Sequence, residues 1–170
     1  MDRRVFLLQG LGLILAGCTS SSEPTLGADG KPLPRVYKIN SGDQQAVSFR
    51  LLDSVNTLRS AKSLQQLSFD ASLNAAAATH SRDMSVQNRP WHFGSDGSSP
   101  LVRAQRSGYS GRLLGELISE TYETELETLS TWMAQADTRS VVMDPLATRI
   151  GFSWFQEPNG KIWWTLMTGA

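Results

Sequence analysis

The sequence predicts an α+β domain. Helical patterns come first, strand patterns come last, and nowhere do the two alternate at the spacing of a βαβ unit. The strands are read from the end of the chain, where Ile150, Phe152 and Trp154 alternate with Gly151, Ser153 and Phe155, and Ile162, Trp164 and Leu166 alternate on the return. Between them Asn159-Gly160 supplies the positive backbone angles of a tight hairpin turn. Trp163 and Met167 fall on the second face of the returning strand and also need cover. The antiparallel sheet is therefore expected to carry helices on both sides.

The helices follow in chain order. Val47, Leu51, Leu52, Val55 and Leu58 recur at three and four residues and line one face of a first helix that ends near Ser60. Asp70 caps a second helix in which Leu73, Ala77, His80 and Met84 share a face. Asn88-Arg89-Pro90 ends it, because proline disfavours helical geometry in the residue before it. Ser99-Pro100 starts a short third helix over Leu101 to Ser107, and Gly108 stops it. An extended segment from Arg112 to Ser119 follows, then a helix from about Glu123 to Gln135 carrying Leu126, Leu129 and Met133. Arg35 to Ile39 reads either as a short strand or as an arm laid on the domain.

With 170 residues, 40% hydrophobic and 19% charged, the chain holds one domain with a proper core. Formal net charge is zero and basic residues are scattered, which argues against nucleic acid as a partner. The most specific short signal lies at the start. Arg3 and Arg4 form a positive region, Val5 to Ala16 is mostly apolar, and Leu15-Ala16-Gly17-Cys18 resembles a bacterial lipobox. That resemblance implies removal of residues 1–17, lipidation of Cys18 and attachment to a membrane by two or three acyl chains. About a dozen apolar residues are too few to cross a bilayer, which needs ~20. Processing takes two arginines and one aspartate with it and moves the formal charge from zero to −1.

Residues 18–44 then read as a lipidated cysteine and a tether rich in Ser, Pro, Gly and Asp, and residues 45–170 as the domain. Thr19 in place of aspartate favours the outer membrane, facing the periplasm, in a Gram-negative envelope. Cys18 is the only cysteine, so the chain forms no internal disulfide and has no catalytic thiol.

The chemistry concentrates between Trp91 and Glu116. The short third helix separates a loop bearing His92 from the extended segment bearing Glu116, so the two are expected to be neighbours in space. His80, on an apolar helical face, reads as a neutral, hydrogen-bonded packing residue outside the site. H-E-x-x-H, G-x-S-x-G and phosphate-loop motifs are absent, and Ser95, Ser98 and Ser110 read as loop or capping residues.

The ordered series Asn56-x-x-Arg59, L-x-x-A-A-A-x-H-S-R-D-M from Leu73 to Met84, His92, Arg103, Gly108-Tyr109, Gly115-Glu116-Leu117-Ile118, Trp132-Met133, Arg139, Pro145 and Ile150-Gly151-Phe152 resembles the CAP superfamily. That superfamily groups cysteine-rich secretory proteins, antigen 5 proteins and pathogenesis-related class 1 proteins. The resemblance covers roughly Val47 to Met167 and implies a three-layer α-β-α sandwich around an antiparallel sheet. It also implies a cleft that in many members holds two histidines and acidic residues, and in some a divalent metal.

His92 matches the first histidine and Glu116 the glutamate of a G-E-N motif, with Leu117 where asparagine is usual. Thr138 stands where the second histidine is expected, and Gln135 where serine or glutamate is usual. The resemblance thus gives a degenerate cleft of His92, Glu116, Gln135 and Thr138, with no cofactor and no tight metal site expected. The expected function is a lipid-anchored binding or scaffolding module for a lipid, glycan or peptide. The alternative is a peptidase-like hydrolase using His92 and Glu116.

Overall fold

The computed structural model describes residues 36–170. The lipobox, Cys18 and the tether up to Arg35 lie outside the described residues. Five helices and four strands are formed: α1 (Gln44–Ser60), β1 (Ser68–Phe69), α2 (Ala71–Gln87), α3 (Pro100–Arg106), β2 (Leu113–Thr121), α4 (Glu125–Ala134), α5 (Ala136–Val142), β3 (Arg149–Gln156) and β4 (Ile162–Gly169). The sheet order is β1-β3-β4-β2. β4 pairs antiparallel with both β3 and β2, as the alternation predicts, and β1 adds a two-residue parallel pair on β3, so the sheet is mixed.

Local chemistry sets the boundaries. The Asp70 carboxylate accepts from the amides of Ser72 and Leu73, both at 2.9 Å, and α2 ends where Asn88 takes the left-handed conformation at φ 49°. Ser99 Oγ accepts from the Val102 amide to start α3. Thr124 and Glu127 form a reciprocal capping box at the start of α4. α5 is an element the sequence reading did not separate from the helix before it. The hairpin also differs from expectation. Five residues, 157–161, separate β3 from β4, and within them only Gly160 takes a positive φ, of 94°. The loop closes through Glu157, whose amide donates to Lys161 and whose carbonyl accepts from Gly160.

Both faces of the sheet are covered. Val47, Leu51 and Val55 of α1 and Leu129 and Trp132 of α4 pack on Leu117, Ile150, Phe152, Trp164 and Leu166. On the other face, Leu73, Ala76 and Ala77 of α2 and Ala104 of α3 pack with Tyr109 and Met167. α2 comes so near that a Cβ at Gly151 would stand 2.3 Å from the Leu73 carbonyl carbon. Residues 36–39 form an arm and not a strand. The Tyr37 amide donates to the Tyr122 carbonyl, and the Gln156 side chain bonds both the Tyr37 carbonyl and the Ile39 amide.

Arg59 ties the first helix to the rest. Fully buried, it donates to the carbonyls of Gln65, Val142, Asp144 and Ala147 at 2.8–3.0 Å. Three of these lie in the segment that leads from α5 into β3. Asn56, one turn earlier, bonds the amide and the carbonyl of Leu67.

Candidate functional site

Four elements converge on Glu116. The strand alternation that sends Leu117 into the α1/α4 core sends Glu116 to the α2/α3 side, where its side chain is 1% exposed. His92, in the loop after α2, donates from Nδ1 to Glu116 Oε1 at 2.9 Å. Arg103, on α3, donates from Nη2 to Glu116 Oε2 at 2.6 Å. The neighbourhood read from the sequence for His92 and Glu116 is therefore present.

Two residues belong to this cluster that the sequence reading left out of the site. Arg103 is 5% exposed, and its Nη1 donates to the carbonyls of His92 and Ser98 at 3.0 and 2.8 Å. It thus grips the backbone of the His92 loop with one nitrogen and Glu116 with the other. His80 is buried and hydrogen-bonded as expected, but it does not stand apart. Its Nε2 donates to the Trp91 carbonyl at 2.9 Å and lies 3.7 Å from Glu116 Oε1. With that proton on Nε2, Nδ1 is a buried lone pair without a partner. Burial is the main reason the His80 pKa lies below its ordinary value; Arg103 pushes the same way, while Glu116 opposes it. The ring stays neutral at neutral pH.

His92 itself is oriented differently. A carboxylate only accepts, so Nδ1 carries the proton and Nε2 is the free nitrogen of a ring whose side chain is 50% exposed. Beyond it the loop is held by Asp83, which accepts from the Ser95 amide and hydroxyl at 2.7 and 2.6 Å. A polar recess of about 450 Å³ lies here, lined by Asp83, Ser95, Asp96, Arg103 and Arg106 among others. Hydrogen bonds from Ser98, and the Arg106 ion pair, hold the Asp96 carboxyl well below the usual carboxylate range.

Gln135 and Thr138 do other work. Gln135 is exposed at the corner between α4 and α5. Thr138 Oγ1 donates to the Trp132 carbonyl at 2.5 Å, and Arg139 donates to the Met133 carbonyl at 3.0 Å. Neither Gln135 nor Thr138 is hydrogen-bonded to His92 or Glu116. α5 instead meets β2 through Val141, which packs on Gly115.

The donor set does not fit a divalent metal. Both Glu116 oxygens already accept strong hydrogen bonds, and a guanidinium 2.6 Å from one of them opposes a second cation. Among the described residues of the cluster the free ring nitrogens are His92 Nε2 and the buried His80 Nδ1, fewer than the three or four ligands a zinc site takes. Among the described residues no group of three or more His, Cys, Asp or Glu stands together as a metal site.

This α-β-α arrangement, with its His92–Glu116–Arg103 latch, agrees with the comparison to known families. The model of the CAP cysteine-rich secretory protein family matches residues 52–167, and the chain belongs to that family.

The fold recurs in solved structures of low identity. An outer surface protein of Borrelia burgdorferi aligns with a TM-score of 0.69 at 16% identity, over 79% of this chain and 98% of that one. An extracellular protein containing an SCP domain from Bacillus anthracis gives 0.67 at 22% identity, over 87% of this chain and 45% of that one. A cysteine-rich secretory protein from Staphylococcus aureus gives 0.63 at 12% identity, over 85% and 44%. The chain spans less than half the length of the latter two. A search of the curated proteins finds no match.

Proposed function

We propose that this CAP-domain protein is a lipid-anchored binding module of the bacterial envelope, whose His92 cleft engages a ligand without turning it over. The observation that carries this reading is the state of Glu116. Its charge is neutralised by the Arg103 guanidinium, and its two oxygens hold two different elements in place. Such a carboxylate fixes the orientation of His92 while its charge is met by Arg103. Among the described residues no serine or threonine hydrogen-bonds to His92 as a nucleophile would. The ligand is a lipid, glycan or peptide that meets His92 Nε2 and the polar recess beside it.

Export and anchoring rest on the lipobox at Leu15 to Cys18. Among the described residues no helix is long and apolar enough to cross a membrane. The names of the Borrelia and Bacillus structures, an outer surface protein and an extracellular protein, are in keeping with export. The domain organisation proposed is a signal peptide over 1–17, an acylated Cys18 with its tether to residue 44, and the CAP domain from 45.

The test uses the full chain expressed in a bacterium. Mass spectrometry should find an acylated Cys18 as the first residue, and Cys18→Ala should leave the membrane fraction. A thermal-shift screen in detergent against envelope lipids, peptidoglycan fragments and short peptides should give a shift for wild type that His92→Ala loses. A shift that His92→Ala retains for every compound would remove the ligand from this cleft.

One observation favours the hydrolase as a second reading. The Nδ1–H to carboxylate bond leaves Nε2 free, the tautomer a general base uses. Turnover of a peptide that His92→Ala abolishes with the fold intact would establish it.

A further inference from the structure

The outer edge of β3 is unpaired over much of its length, for a local reason. β1 runs beside β3 for only two residues before Asp70 caps α2 and turns the chain away. On this edge the Ile150 carbonyl accepts from the Asp70 amide at 2.9 Å, and the Phe152 amide donates to Asn74 Oδ1 at 2.8 Å. An antiparallel strand sends both main-chain groups of alternate residues to the same side. The Phe152 carbonyl and both groups of Trp154 therefore point outward too. Among the described residues nothing beyond the β3–β4 ladder bonds to them.

This edge is the floor of a slot of about 560 Å³ between the N-terminal turns of α1 and α2. Its walls include Phe49 from α1, Phe69 and Trp154 from the sheet, and Ala75 and Ala78 from α2. The two alanines are exposed and too small to cover the strand. Sheet edges in folded proteins are ordinarily covered or guarded by charge. Among the described residues nothing lies over this edge beyond Phe152, and no residue lining the slot is charged.

Charge lies beyond its ends. At one end Asp43, the N-cap residue of α1, sets a carboxylate next to Gln44 and Gln45. Arg82, two turns along α2 from Ala75 and on the same face, is exposed over the Phe155 ring, 5.2 Å from its centroid. It has no carboxylate partner among the described residues.

We infer that this slot takes an extended peptide. The peptide adds to β3 as a further strand, sets an apolar side chain against Phe49, Phe69 and Trp154, and places a carboxylate near Arg82. Main-chain hydrogen bonds to Phe152 and Trp154 supply affinity, and the aromatic walls and Arg82 supply preference. The site is separate from His92, because Glu116 is on β2 at the opposite edge of the sheet.

The test is an array of acetylated hexapeptides in which threonine alternates with Val, Ile, Phe or Tyr and one terminal position is Asp, Asn or Lys. It is probed with the full chain in detergent. At least one aspartate series should bind saturably, about fivefold tighter than its lysine counterpart, with that margin lost in Arg82→Gln. Methylating alternate backbone nitrogens of the best peptide should abolish binding. Ala78→Trp, which fills an exposed wall position and should leave circular dichroism unchanged, should abolish it too, whereas His92→Ala should bind as wild type. Retention of no peptide overturns the inference, as does binding indifferent to N-methylation or to Ala78→Trp, or binding lost in His92→Ala.

Discussion

At the scale of single residues, the partners of Glu116 are unequal. Arg103 is buried, with Nε already lacking a partner, so removing the carboxylate strands a charge with no water to receive it. Glu116→Gln should therefore lower unfolding free energy by about 3–5 kcal/mol in urea titrations. His92→Ala, at a half-exposed ring, should cost only about 1 kcal/mol. Equal losses in the two variants would make His92 the structural partner and weaken the case for it as the ligand-facing group.

His80 adds a pH dependence whose sign is fixed by its depressed pKa. The unfolded chain takes up a proton near the ordinary value of 6.5, and the native state refuses it until lower pH. The contribution of His80 is thus complete above that value and lost as pH falls below it. His80→Gln keeps a donor for the Trp91 carbonyl without titrating. The difference between the urea midpoints of wild type and His80→Gln should be constant at pH 7 to 8 and shrink toward pH 5.

The same residues explain how much of the site could be read in the sequence. His92 and Glu116 were legible because Ser99-Pro100 and Gly108 bracket a short helix between them, which is a local signal. Arg103 and His80 were not. Nothing near Arg103 in sequence announces that its fork meets a carbonyl eleven residues back and a carboxylate thirteen ahead. His80 reads as a packing histidine, as it is, but the packing of α2 across β3 and β4 that brings it toward Glu116 is a tertiary fact.

At the scale of elements, what was legible is what local chemistry enforces. The starts of α2 and α3 follow from Asp70 and Ser99, whose side chains accept the free amides. The strand faces follow from alternation, and Phe152 and Trp164 stack at 5.5 Å as two rings on one face must. α5 was not separable, because its seven residues carry no apolar periodicity and Thr138 folds back on the carbonyl of Trp132. β1 is two residues long and exists only because Arg149 and Ile150 lie beside it.

Two predictions belong to this scale. Thr124→Ala removes half of the capping box and should cost about 1 kcal/mol, read as a lower urea midpoint with an unchanged slope. Gly151→Ala drives a methyl group into the Leu73 backbone, which has no rotamer by which to escape. It should cost at least ~3 kcal/mol, the upper end of what overpacking usually does.

At the scale of the whole molecule, Arg59 is the joint between the first helix and the segment that leads from α5 into β3. Its guanidinium replaces hydration for four carbonyls at once, and burial lowers its pKa without removing its charge. Arg59→Met should unfold the domain at least ~3 kcal/mol more easily. Arg59→Lys, with one nitrogen in place of three, should recover only part of that loss in the same thermal melts.

β4 follows every other strand in the sequence, yet it lies between β3 and β2, and neither of those touches the other. Of the four strands, the keystone is the last to leave the ribosome. Until then β2 has no strand partner and β3 only the two residues of β1, and the apolar faces of α1 and α2 lack most of the sheet they close on. Formation of the sheet therefore waits for β4 and is slow once it begins, since the β2–β4 pairing it needs is distant in sequence. Under the export proposed above, a chain that crosses a membrane unfolded would gain from that delay. The sheet segments stay pliable until β4 arrives and become rigid only then.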